Sequence, residues 1–254
     1  MDDRMKTHTS PMLAVPDHQK LMTTGFLLVE PATLAHVPDL AGLDMRACTP
    51  RVLAHREELM PRLIDLAALD LEGQRIVTER WQEEPDVERP PAICAWIDSA
   101  VGAEALAEHI ARYLVGPGKG GQSVFWRYYD PRVLSLTLTV FDPTQRLALL
   151  GPAREWHFAW AGHRWRTAGL GAEAVSPDDE PAGWPRLDQW SRINRSDIVD
   201  RIRRRLPIFP ADRAAQLPAA LDQFLRSVGE QDARATDELV DAAVQHMRLA
   251  FLTE

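Results

Sequence analysis

Histidine, cysteine and the acids are the residue types with which a chain most readily makes and breaks bonds, and here they are scattered. Cys48 and Cys94 belong to no C-x-x-C pair and to no Cys/His cluster, so they assemble no zinc module. No G-x-S-x-G elbow is present to expose a nucleophilic serine. His157 and His163 flank an expected turn, and His109 lies near Glu104 and Glu108. None of these has the H-x-x-x-H or H-E-x-x-H spacing that sets two metal ligands on one helix face. Gly116 to Gly121 holds glycines and Lys119, but a phosphate loop requires G-x-x-x-x-G-K-[ST], and Lys119 is followed by Gly120 and Gly121. That stretch reads as a connection between a helix and a strand. What remains for catalysis is a dispersed acid/base set, with Asp98, His109 and Asp130 as members of a hydrolase alternative that sequence distance alone leaves open. No catalytic residue, metal or cofactor is assigned.

Cations and aromatics are the other candidates. Arg201, Arg203, Arg204 and Arg205 form a basic run where a helix should end, and cations there oppose the negative end of the helix dipole. The run serves either its own helix terminus or an acidic partner, with Arg203 and Arg204 as the partner-binding candidates. A regulatory or scaffold module reading nucleic acid through this run is a further alternative, disfavoured by the absence of interleaved stacking aromatics. Five of the eight tryptophans fall between residues 126 and 184. Trp156, Phe158, Trp160 and Trp165 alternate with His and Arg, so one side of that segment is a candidate sticky surface for a partner. Core packing is the competing explanation.

These residues need elements to position them. At 254 residues, 45% hydrophobic and 26% charged, with a formal charge of -8, the chain has the composition of a soluble globular protein of one large or two small domains. The charge disfavours nucleic acid as a partner. No apolar run reaches membrane-span length, and the start, Met1-Asp2-Asp3-Arg4, lacks the features of a secretory signal. A cytoplasmic protein without a membrane anchor is expected.

Residues 1–24 are expected to be a flexible leader. Phe26 to Val29 and Ile93 to Ile97 have the size and punctuation of buried strands, and Ser123 to Tyr129 is a third. Val52 to Leu69 carries leucines near helical spacing and predicts a helix across 50–70, kinked or started by Pro61, with an exposed loop over 79–91 and another helix over 102–114. Asp130-Pro131 and Asp142-Pro143 each put a capping acid before a proline at a first helical turn. Helices follow at about 131–140 and 143–150, closed by Gly151-Pro152. Residues 155–160 and 163–166, joined across Ala161-Gly162, read as a hairpin or as a strand returning to the sheet edge. The expectation is an α+β or α/β lobe over 25–168, its small sheet mixed and covered by helices. A linker at 169–186 and an all-α lobe of three helices over 187–254 complete it.

The string Phe125-Trp126-Arg127-Tyr128-Tyr129-Asp130-Pro131-Arg132-Val133-Leu134 is followed by Phe141-Asp142-Pro143-Thr144-Gln145 and by Leu150-Gly151-Pro152-Ala153-Arg154-Glu155-Trp156. This series resembles the domain of unknown function numbered 4123, an adaptor or chaperone family of type VI secretion effectors, whose hallmark is F-R-[FY]-Y-D-P-R-V-L. The opening strand, Phe26 to Glu30, departs from the family's usual Y-A-L-L-D. The resemblance implies a non-catalytic protein that binds the N-terminal region of a cognate effector, keeps it soluble and helps load it onto a VgrG or PAAR spike protein. Trp126, Arg127, Tyr128 and Arg132 are then further partner-binding candidates. Tyr129, Asp130, Pro131, Asp142, Pro143, Gly151 and Pro152 are the structural part of the motif.

Overall fold

The structure is a computed structural model and describes residues 10–16, 20–86, 90–118, 121–171, 182–228 and 236–252. The N-terminal part contains β1 (Leu13–Val15), β2 (Phe26–Val29), α1 (Pro38–Ala41), β3 (Arg46–Ala47), β4 (Arg62–Asp65) and α2 (Leu71–Glu83). It continues through β5 (Ile93–Ser99), α3 (Ala103–Arg112), β6 (Val115–Pro117), β7 (Ser123–Phe125), α4 (Pro131–Val140), α5 (Pro143–Leu150), β8 (Ala153–Trp160) and β9 (His163–Ala168). Helices α6 (Leu187–Ile193), α7 (Ser196–Arg204), α8 (Ala211–Ala214), α9 (Leu217–Val228) and α10 (Thr236–Leu252) follow. The class is α+β with a helical C-terminal region.

Seven strands form one sheet in the order β1-β9-β8-β5-β2-β4-β3, and β6 and β7 make a separate hairpin. Every pairing is antiparallel. The expected mixed sheet is therefore corrected. Helices between successive strands suggested parallel crossovers, but α3, α4 and α5 bring the chain back so that β8 runs against β5. The sheet is covered on both faces, which explains why β2 reads as an unbroken apolar run. Phe26 and Leu28 face one core, while Leu27 and Val29 face the other. The smaller core lies under α1 and α2, with Leu40, Val77 and Trp81 packed on Ile64 and Ile93.

The larger core continues from the sheet into the helical region without a break. Trp156, Phe158 and Trp165 share it with Leu134 and Leu138 of α4, and with Trp190, Val199, Ile202, Leu221 and Met247. The C-terminal helices have no separate apolar centre among the described residues. They bury their stripes against α4, itself apolar almost all round, with seven of its positions buried. Among the described residues five helices stand where three were expected. Of the expected linker, residues 172–181 lie outside the described residues, and Trp184 beyond them packs edge-on against Trp126 at 5.3 Å between ring centres.

Other departures have local causes. The expected helix over 50–70 is a 3-10 segment, Arg51–Leu59, broken by non-helical backbone at Leu53 and Arg56, followed by strand β4. Pro61 stands at this boundary, and β4 puts Leu63 and Ile64 on opposite faces. The true helix, α2, starts one element later, where the Asp70 side chain accepts the Gly73 amide, and it absorbs part of the expected 79–91 loop. Within the expected leader, Leu13–Val15 pair with β9 and Met12 is buried. Strand β7 ends at Phe125, so Tyr128 and Tyr129 belong to the turn before α4 rather than to a strand. The hairpin forms as expected, with Phe158 opposite Trp165 and positive φ at Ala161 (55°) and Gly162 (77°).

Candidate functional site

The motif around Asp130 is built on charge pairing at a helix start. Asp130 caps α4 by accepting the Arg132 amide at 3.0 Å. Its carboxylate is buried and holds the Arg132 guanidinium through Nε (2.9 Å) and Nη2 (2.5 Å). A paired fork of this kind fixes the arginine in direction as well as place. Pro131 occupies the first helical position, where its missing N–H removes nothing.

The second half of the network comes from β2. Glu30 follows the strand and is almost fully buried. It accepts from Arg127 Nη2 at 2.6 Å and from the Tyr129 hydroxyl at 2.9 Å. Burial, and then the Glu30 charge, push the Tyr129 phenol well above its usual pKa, so it stays protonated and donates. Arg127 also lies 3.6 Å from Asp130, which closes a chain Glu30–Arg127–Asp130–Arg132 between the sheet and α4. The buried Cys94 thiol is raised by desolvation first and then by Asp130, Glu30 and Glu84, so it is held as the inert neutral form.

The basic run at the end of α7 divides into two pairs. Arg201 and Arg205 reach Asp237 and Asp241 of α10 and fasten the two helices together. Arg203 and Arg204 turn to Asp200 one turn earlier, Arg204 with Nε–Oδ2 at 2.8 Å and Arg203 with a longer Nε–Oδ1 contact of 3.4 Å. Burial lowers the Arg203 pKa from the ordinary arginine value; the Arg204 and Arg132 cations add to this, and Asp200 opposes it.

These features meet. A cleft of about 50 Å³ is lined by Pro131 and Arg132 from α4, Asp200, Arg203 and Arg204 from α7, and Trp160 with its neighbours from the β8–β9 hairpin. Glu84, Pro85 and Pro91 supply the remaining wall. Four candidates from three separate segments, Arg132, Trp160, Arg203 and Arg204, thus share one surface depression. Glu30, Glu84 and Asp200 were not singled out from sequence. The one available signal was an acid at the end of an apolar strand, immediately before Pro31, at Glu30.

The aromatic candidates are placed differently. Trp126, Tyr128, Trp156, Phe158, Trp160 and Trp165 are all at most 4% exposed. The expected sticky surface is corrected to a core layer, because all four hairpin aromatics project to the sheet face that α4 and the C-terminal helices cover. Fully burying a ring such as Phe158 stabilises by roughly 1.5–3 kcal/mol relative to exposure, which decides the orientation. Trp126 lies against Tyr128, Phe141, Trp184 and Trp190 and is the hub joining the motif to α6.

The second motif segment does the same with amides. Asp142 caps α5 through Gln145 in a complete capping box. The Gln145 and Gln189 side chains donate reciprocally to each other at 2.9 Å, both buried. Asp142 pairs in addition with Arg186. Its pKa is lowered, first by the Gln145 amide and then by Arg186. Gly151 has φ +49°, and a Cβ there would sit 2.1 Å from the His109 ring, so this turn admits only glycine. Pro152 follows it, buried, just before β8.

The acid/base alternatives are spread over different elements. Asp98 pairs with Arg154 at the exposed end of β5, and His109 lies buried on α3 against the Leu149 carbonyl at 2.9 Å. His163 contacts the Phe209 carbonyl, and His157 contacts Glu155. No group of three metal-binding side chains occurs among the described residues. Gly116 and Gly118 belong to the β6–β7 hairpin; Lys119 and Gly120 lie outside the described residues. No helix among the described residues is long and apolar enough to cross a membrane.

Residues 26–148 match the family model of a domain of unknown function, DUF4123. No curated protein and no solved structure matches the chain. The matched stretch begins at β2 and ends inside α5, so it contains both the Asp130 network and the Asp142–Gln145 box.

Proposed function

We propose that this protein is a non-catalytic adaptor-chaperone that binds the N-terminal region of a type VI secretion effector and helps load it onto a VgrG or PAAR spike protein. The reading proceeds from the DUF4123 match over residues 26–148, which covers the Phe125–Leu134 string behind the resemblance. The observation that carries it is the cleft in which Arg132 of that string meets Arg203 and Arg204 of α7. A surface composed jointly by the matched segment and the helical region suits recognition of a polypeptide.

The mechanism is stoichiometric. Apolar surface of the client is covered at about 25 cal/mol per Å² until handover, less the cost of ordering both partners, and no bond is made or broken. The protein acts in the cytoplasm of the producing cell, before its client leaves. Co-expression with the effector encoded beside its gene should yield a complex that co-purifies through size exclusion and keeps the effector in the soluble fraction. Absence of a complex with every effector encoded nearby would overturn the reading.

A further inference from the structure

We propose that the cleft between α4, the β8–β9 hairpin and α7 is the docking site for one acidic side chain, a glutamate or aspartate presented by the bound polypeptide. The inference rests on the adaptor reading and names how the client is held. Donors on two side chains at this cleft, Arg203 and Trp160, lack an acceptor among the described residues. Arg203 makes only the long Nε contact of 3.4 Å with Asp200, so its two terminal nitrogens donate to nothing described. Trp160, 4% exposed, lines the same cleft, and its Nε1 is buried without a partner.

A buried donor without an acceptor is costly, and most are satisfied in folded proteins. Trp126, Trp156 and Trp190 also bury an indole N–H without a partner, but only Trp160 of these lines the cleft. Arg132 is held by Asp130 through Nε and Nη2 and serves as a fixed wall, and Asp200 gives its shorter bond to Arg204. Of the three arginines, Arg203 makes the longest contact to its acid. A carboxylate supplies two oxygens for a guanidinium fork and for an indole N–H. A cleft of about 50 Å³ has room for a carboxylate group. The rim of Pro85, Pro91 and Pro131 offers no amide donor and suits the methylene part of an acidic side chain and its backbone.

Two measurements test this on the full chain. Calorimetric titration with the effector's N-terminal region should show Arg203→Ala binding at least ten-fold more weakly and Trp160→Phe about three-fold more weakly. Arg166→Ala, on the opposite sheet face, should leave affinity unchanged. Unaltered affinity in both cleft variants overturns the site while sparing the adaptor reading.

The second measurement needs no effector. Adding N-acetyl-glutamate amide should shift the Trp160 indole N–H signal in an NMR spectrum of the wild type and leave it unmoved in Arg203→Ala. No shift at tens of millimolar, or an equal shift with inorganic phosphate, overturns a carboxylate as the occupant. Circular dichroism on each variant confirms folding.

Discussion

Arg132 and Arg203 face the same cleft from opposite walls, one at the start of α4 and one near the end of α7. Their environments differ sharply. Arg132 is gripped by a buried carboxylate through two of its nitrogens, whereas Arg203 makes one contact of 3.4 Å to an aspartate already engaged by Arg204. The first belongs to a chain of alternating charges that joins sheet to helix; the second sits in a surplus of donors. Identity of side chain and sharing of a pocket therefore do not confer the same role. The neighbouring acid decides whether an arginine is spent on the fold or left for something else.

The largest effect should come from breaking the saturated side. Asp130→Ala removes the α4 cap and strands Arg132, and loss of one partner of a buried pair costs roughly 3–5 kcal/mol. Because Arg132 is 26% exposed and can turn to water, we expect a value near the low end, about 3 kcal/mol, in urea unfolding. Asp130→Asn, which keeps the cap oxygen, should recover about 1 kcal/mol of this. Equal loss in the two variants would show that capping contributes nothing.

A second buried group tests whether a neutral backbone carbonyl suffices as a partner. Desolvation, with Arg112 adding to it, lowers His109 to about 4, against the pull of the Leu149 carbonyl. The unfolded chain takes up this proton near its ordinary value of about 6.5, so the stability from neutral His109 is present above that pH. It declines as the pH falls toward about 4, by about 3 kcal/mol in total. His109→Gln should flatten that part of the pH–stability curve; an unchanged acid slope would refute the assignment.

Smaller effects complete the comparison. Asp142→Ala removes the partly exposed acid of the capping box and should cost about 1 kcal/mol, its pairing with the exposed Arg186 adding little. Arg203→Ala should change stability by no more than about 0.5 kcal/mol. A loss comparable to that of Asp130→Ala would mean that the two walls of the cleft are alike after all.

Much of this was legible locally. Asp before Pro, at Asp130-Pro131 and Asp142-Pro143, specified two helix starts, and the Trp156-to-Trp165 alternation around Ala161-Gly162 specified a hairpin. The 51–65 region was misread because leucines near helical spacing also satisfy a 3-10 turn followed by a strand buried on both faces. The mixed sheet was misread because strand direction depends on where the chain returns, which no local pattern encodes. The site was half legible: Arg132 stood in a motif and Arg203 in a basic run, but nothing in either segment linked them.

The sequence by itself determined which residues cap, turn and alternate, because those properties depend on neighbours within about four positions of the chain. Only the tertiary structure decided that the hairpin aromatics face inward, that Glu30 completes the Asp130 network from 97 residues before Arg127, and that Arg203 is left with a single long contact. The physical reason is that burial and charge pairing are properties of positions in space. A charge is saturated or available according to what the fold brings within a few ångströms, and that is set by packing of the whole core.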